Sequence, residues 1–408
     1  MEFRIIDENG YQKFWDTHPL KTFLSSIEIG KIRIKNGWDG VVYTGIYKEE
    51  ELVAAAMLVY KMRRFGKYEY YSPRGLLCDF SDHNLTCFYI NELKKYVKNN
   101  KGYVLRIDPY IINKQRDIDG NIVKGGIDNT YIVNSLLKLG FRKKKSSERE
   151  QVGWMFVLDI DGKTEEELLS EMRQNTRNTI KKTEKMGITV DEIGYDELSD
   201  FYKILKETSK RKNFETRDIS YYQEMYKLFA NKGEVKFFIT RLHISKYISI
   251  LEKEKEEKKG KLSKVKKDGQ KRNLEEELNN IDKKIDEINK LKDKVSKDVV
   301  DLSGSMFILI KPEIVYLSSG NYIDYMKYNS QYLIQWELIK YGLKKGFKKY
   351  NFYGIPDNIN LHPKDYGIYE FKKGFNGYVE ELIGEYEIPI CIEYYLLRIL
   401  HSFKKHGE

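Results

Sequence analysis

Residues 244–300 break the character of the chain around them. The protein carries 32 Tyr and 19 Phe, yet this stretch is almost free of aromatics and dense in Lys and Glu. Its apolar positions Ile244, Ile248, Leu251, Leu262 and Val265 follow a four-three rhythm, with Lys255 and Lys258 filling two seam positions. KDGQKRN (267–273) reads as a turn around Gly269. Leu274, Leu278, Ile281, Ile285, Ile288 and Val295 then continue the stripe. The pattern predicts an antiparallel coiled-coil hairpin, each arm roughly 35 Å long at 1.5 Å per residue. A disordered charged linker is the alternative; the sustained second stripe favours the hairpin.

The hairpin interrupts a repeated order of elements. EVKFFITRLHISKYIS (234–249) before it and DLSGSMFILIKPEIVYLSSGNY (301–322) after it read as strands. With the insertion removed, the order is strand, turn, strand, then a short strand ending in Ser and Gly. GVVYTGIYKEEELVAAAMLVYKMRR followed by YEYYSPRG has the same order in the N-terminal half. A helix and a strand follow in each half: CFYINELKKYVKNNKGYVLRIDP (87–109) and QYLIQWELIKYGLKKGFKKYNFYGIP (331–356), with Gly346 marking a helix end. The fold class expected is α/β, a duplicated mixed sheet with flanking helices. Domain one spans 1–148, completed by 385–408. Domain two spans 149–243 and 301–384, and 244–300 is the hairpin.

Net charge is +10, which favours an anionic partner: nucleic acid, a pyrophosphate or an anionic membrane surface. Cys78, Cys87 and Cys391 fit no metal or disulfide spacing, and the six His form no HxH or HExxH pattern, so no metal or cofactor is expected. The start, MEFRIIDENG, is too polar for a signal peptide, and LVAAAMLVY (52–60) is too short to span a bilayer. A reducing cytoplasm is the compartment expected. In MRQNTRNTIKKTEKMG, Arg177, Lys181 and Lys185 stand at i, i+4 and i+8 of a basic helix. Such a stripe suits the phosphates of tRNA or of a lipid pyrophosphate, or is a solvated face.

YGIYEFKKGFNGYVEELIGEYEIPI (366–390) alternates apolar residues between four glycines and reads as strand. Neighbours on a strand point to opposite faces, so one of Lys372 and Lys373 points inward, where it snorkels or works.

This last segment, MRQNTRNTIKKTEKMGI, FLSSIEIGKIRIKNGW, VLRIDP and the helical insertion together resemble the FemABX aminoacyltransferases, the interpeptide-bridge enzymes of Gram-positive bacteria. The resemblance covers nearly the whole chain. It implies two GNAT-like domains, and the hairpin resembles that of the members acting on lipid II. The implied reaction is transfer of an aminoacyl group from aminoacyl-tRNA to an amine of the stem peptide of a peptidoglycan precursor, lipid II. It also implies an enzyme at work in the cytoplasm, with peripheral contact at the cytoplasmic face of the membrane. The chemistry suits the residues. The donor is an activated ester that an amine attacks directly, and no Ser, Cys or His nucleophile is framed here. The site has to hold two large anions and stabilise a tetrahedral oxyanion.

The family's oxyanion-stabilising lysine falls on Lys372, beside Phe371, which would put Lys372 in the cleft and Lys373 in solvent. Substrate-phosphate positions fall on Arg217 and Tyr221. Arg33 stands where relatives have a Lys, a change that keeps charge and alters geometry. A family Tyr falls on Ser318, a departure for which Tyr322 and Tyr325 are the candidate replacements. Asp108 in RIDP and Glu385 in IGE either accept the ammonium proton, orient it, or serve structure by pairing with Arg106 or capping a turn. Two rivals remain. An acyl-CoA-dependent N-acyltransferase wants an R/Q-x-x-G-x-G/A loop, which is absent. A non-catalytic tRNA- or membrane-binding protein leaves the Phe-Lys segment and the duplication unexplained.

Overall fold

A computed structural model describes the backbone of residues 1–357 and 363–405, with side chains up to residue 399 except 363–365. Residues 358–362 and 406–408, which fall within the segments assigned above to domain two and to the completion of domain one, lie outside the described residues. The chain forms two compact units, Met1–Leu158 with Asn351–Glu408, and Asp159–Tyr350. The hairpin residues belong to the second unit. Residues 351–357 and 363–384, read from the repeat as part of domain two, pack in the first.

The first unit holds a seven-stranded sheet. Its order is Glu2–Ile6, Gly40–Lys48, Glu51–Met62, Tyr68–Ser72, Gly102–Ile107, Tyr386–Pro389, Arg142–Lys143. Tyr68–Ser72 and Gly102–Ile107 pair in parallel, and the remaining neighbours are antiparallel. The parallel pair needs a crossover, and the helix His83–Asn99, N-capped by Asp82, supplies it. Its Leu85, Tyr89, Ile90, Leu93 and Val97 recur at helical spacing and are buried against Ala54, Ala56, Leu58 and Leu105 of the sheet. Tyr386 and Ile388 share this core, and Tyr386–Pro389 pairs with Gly102–Ile107. Three more strands pair antiparallel in a separate sheet, in the spatial order Ile112–Gln115, Tyr378–Leu382, Trp154–Asp159. Gly377 permits this close approach, since a Cβ there would lie 2.0 Å from the Val157 carbonyl oxygen.

The second unit has Ile188–Glu192, Val235–His243, Val299–Ile310 and Glu313–Asn321 as successive antiparallel neighbours. The helix Leu198–Lys212 packs on the last three of these. The helix Ser330–Lys345 ends where expected, at Gly346 with φ 67°.

The insertion is a pair of helices, Ile244–Leu262 and Asp268–Val295, unequal in length at roughly 28 and 42 Å. The turn lies at residues 263–267, so Val265 belongs to it and Gly269 lies inside the second helix. Lys255 pairs with Asp282 and Lys258 with Glu277, so the seam lysines bridge the two helices. The base is no appendage. Leu251, Ile281 and Ile288 share one buried cluster with Met186, Leu242, Leu302 and Leu333. Among the described residues, no helix is long and apolar enough to cross a membrane.

Candidate active site

The segment read as a strand around Lys372 is a helix, Pro363–Lys373, followed by the strands Tyr378–Leu382 and Tyr386–Pro389. Successive helical residues are about 100° apart, so both lysines lie against the protein: Lys372 is 5% and Lys373 8% exposed. Lys373, expected in solvent, instead pairs with Asp119 and Glu370 and lies 5.1 Å from the Tyr369 ring centroid. Lys372, expected to face an open cleft, donates to the carbonyl oxygens of Gly354 at 2.6 Å and Tyr353 at 3.3 Å. Burial pulls its ammonium down to about 7. Phe371 packs edge-on against Phe375, which also meets Phe352.

Asp108 follows the strand Gly102–Ile107 and is 1% exposed. The backbone amide of Arg74 donates to its Oδ1 at 2.6 Å, and Arg74 Nη1 stands 3.7 Å from Oδ2. Among the described residues, Oδ2 has no hydrogen-bond partner of good geometry, and neither does the buried hydroxyl of neighbouring Tyr71. Burial pushes the Asp108 carboxyl up to about 7, with Arg74 opposing and Glu385 assisting. Arg74 also donates to the Val152 carbonyl and lies 5.7 Å from the Tyr110 ring centroid. Asn351 connects Tyr110 to the next turn. Its Nδ2 donates to Tyr110 Oη at 3.4 Å, and its Oδ1 accepts from the amide of Tyr353 at 2.7 Å. Asp108 and Lys372 therefore stand at two ends of one polar chain within the first unit, Asp108–Arg74–Tyr110–Asn351–Tyr353–Lys372.

Glu385 belongs to a saturated cluster beside it. Arg106 and Lys144 both donate to Oε1, and the amide of Glu150 donates to Oε2 at 2.7 Å. Burial raises its carboxyl, but these donors outweigh burial and hold it below the usual carboxylate range. Arg106 also pairs with Glu69 and Glu150 and lies 4.5 Å from the Tyr71 ring centroid. The pairing with Arg106 foreseen from sequence holds for Glu385, whereas Asp108 answers to Arg74. Arg33, on the helix Ile27–Lys35, pairs with Glu150 and lies 5.5 Å from both Trp38 and Tyr71 ring centroids.

The remaining sequence candidates lie in the second unit. Arg217 is exposed, its guanidinium 5.8 Å from the Tyr221 ring centroid, with no carboxylate partner among the described residues. Ser318 lies on the strand Glu313–Asn321 and hydrogen-bonds Tyr222. Of the basic stripe, Arg177 spends its guanidinium on the carbonyls of Ser170 and Met172. Lys181 is exposed on the helix Gln174–Glu184, and Lys185 sits just past its end.

Sequence reasoning missed Arg74, Tyr71, Tyr110 and Asn351. A signal was present for one of them: Arg74 stands in a Ser-Pro-Arg-Gly turn directly after the strand Tyr68–Ser72. The constellation pairs a buried acid and a buried amine, each displaced towards neutrality from opposite directions. Such groups exchange protons readily at neutral pH.

Relatives carry the same architecture end to end. Aminoacyltransferase FemA of Staphylococcus aureus strains N315 and COL is 28% identical over 406 residues, covering 96% of this chain and 96% of the relative in each case. A crystal structure of FemX matches with a TM-score of 0.77 at 23% identity, covering 97% of this chain and 99% of that one. The FemAB family model spans residues 6–402, from the first strand into the last helix, and the chain belongs to the FemAB family.

Proposed function

We propose that this protein transfers an aminoacyl group from aminoacyl-tRNA to an amine of the stem peptide of lipid II, building an interpeptide bridge. The observation that carries this reading is the end-to-end likeness to aminoacyltransferase FemA. The amine attacks the ester carbonyl, the carbonyl oxygen takes up the negative charge, and the ammonium proton leaves before the ribose hydroxyl departs. In this reading Asp108 accepts that proton. A carboxyl ionising near neutrality is matched to the task. Lys372 stabilises the oxyanion. An ammonium has three N–H donors; the carbonyls of Tyr353 and Gly354 accept from it, which leaves one donor to spare. Arg33 in the first unit and, separately, Arg217 and Tyr221 in the second serve as phosphate contacts for the substrates, and Lys181 contacts a tRNA phosphate. Glu385 is a positioning residue that fixes Arg106.

The experiment is transfer of radiolabelled Gly, Ser or Ala from separately charged tRNAs to bare and already branched lipid II, with acyl-CoA as a competing donor. Transfer from one charged tRNA supports the reading and names the amino acid. Transfer from acyl-CoA alone replaces it with the N-acyltransferase.

A further inference from the structure

The helix Glu393–Lys405 follows the last strand of the first sheet, and its two sides differ from those of an ordinary surface helix. Tyr394 and Leu397 are buried beneath it. Ile392, just before the helix, and Tyr395, Leu396 and Ile399 within it, at i, i+3, i+4 and i+7, form one stripe and are 73%, 45%, 48% and 52% exposed. Large apolar residues scattered singly over a surface need no explanation, but four in register along a helix and its leading residue do.

The charge around the stripe is one-sided. Glu393 is the only acid between residues 390 and 405, and Lys67 neutralises it at 3.1 Å. Arg142 lies 5.2 Å from the Tyr395 ring centroid and donates to its hydroxyl at 3.2 Å. Arg398 is half exposed and pairs with Glu387 at 2.8 Å, and the sequence goes on to Lys404 and Lys405. An apolar stripe bordered by cations, with its nearby acids Glu387 and Glu393 already paired, matches an anionic lipid interface, where the stripe enters the acyl boundary and the cations meet phosphates. A second protein surface would have to supply apolar area and acids together.

We propose that the helix Glu393–Lys405 lies in the surface of an anionic bilayer and docks the first unit there. This goes beyond the transfer reaction, and it is read without any substrate. The full chain is sedimented with phosphatidylglycerol–phosphatidylcholine vesicles and with phosphatidylcholine vesicles alone. Binding to the anionic vesicles is expected, weakened by salt, and at least tenfold weaker in Ile392→Glu/Leu396→Glu. Phe65→Glu, at an exposed apolar residue elsewhere in the unit, should bind as wild type. Transfer to a water-soluble acceptor should be unchanged in the double variant, which separates lost docking from lost folding. Absence of wild-type binding, or equal binding by the double variant, overturns the proposal. So does a wild-type dimer that the double variant converts to monomer while vesicle binding persists, since the stripe would then be a self-interface.

Discussion

Lys372 Nζ donates a 2.6 Å hydrogen bond to the carbonyl oxygen of Gly354, next to Tyr353, whose backbone is left-handed at φ 63°. Burial brings this ammonium to about 7 from an ordinary 10.5. Below pH 7 the native and unfolded chains both hold the proton. Between 7 and 10.5 the unfolded chain keeps a proton that the native state has released, so stability rises with pH across that window. The slope is at most about 1.4 kcal/mol per pH unit. Denaturant titrations at pH 7 and 9 should show that slope in wild type and lose it in Lys372→Met. A constant wild-type-minus-variant difference would show that the lysine titrates normally.

Turnover separates the two lysines. Lys372→Met should lower it about a hundredfold, the usual effect of removing one oxyanion donor, with a smaller change in KM. Lys373→Met removes an ion pair whose acid, Asp119, is 59% exposed and remains hydrated. It should lower stability by about 1 kcal/mol and leave turnover near wild type. Wild-type turnover in Lys372→Met ends the catalytic assignment.

Asp108→Asn tests the proton acceptor. Native Asp108 holds its proton to about 7, whereas the unfolded carboxyl releases it near 3.8. Between those values the native state binds the extra proton, so stability falls as pH rises and Asp108→Asn flattens the fall. Ionisation of Asp108 raises transfer towards pH 7 and deprotonation of Lys372 lowers it beyond, so wild type should peak near neutrality, and the variant should lose the acidic limb and about a hundredfold in rate. A pH–rate profile of unchanged shape would assign the proton elsewhere.

Arg217→Ala should raise the KM for the lipid-linked acceptor about tenfold or more, through loss of charge-assisted contacts, with no change in melting temperature. Arg33→Ala should raise it too, but also destabilise the fold, because Glu150 loses a partner. If only the apparent constant for tRNA rises, the two substrates have been assigned to each other's contacts.

The helical hairpin now divides into base and tip. Replacing 246–299 by a Gly-Ser turn strips Tyr247, Leu251, Ile281 and Ile288 from a shared core and should lower the melting temperature by many degrees. Removing only 256–277 spares those residues and should leave it unchanged. If the tip docks tRNA, this shorter variant loses transfer from full tRNA and keeps transfer from a charged acceptor-stem mimic. Equal loss with both donors would make the tip structural.

Element order was legible because it rests on local periodicity: the duplicated strands, Gly346 as a helix stop and the paired helices of the insertion all emerged from spacing. The segment around Lys372 was misread for a physical reason. Tyr369, Phe371 and Phe375 alternate with other residues much as a strand would, and the helical choice is made by burial against Phe156 and Phe352, far away in sequence. The turn at 263–267 was misplaced because Gly269 looked like the stronger breaker, although a glycine in the first helical turn is tolerated. Strand alternation singled out the Lys372–Lys373 pair, and motif resemblance alone chose Lys372 and Asp108 as candidates. Their displaced ionisation arises from burial, which Glu385 assists and Arg74 opposes at Asp108, and no local pattern records it.

His243 and Val299 face each other across the ladder, and the amide of Ile244 reaches the Asp298 carbonyl oxygen at 2.8 Å. Those strands are far apart along the chain, and joined by a loose coil they would be a slow pairing. Helices that zip locally and then meet return their own ends to one place, so closing the ladder loses little more entropy than closing a short loop. By sequence these pairings are long-range, and an arm that assembles first removes most of that loop-closure cost. The insertion thus acts as a folding clamp, gathering the two central strands of the unit that carries it.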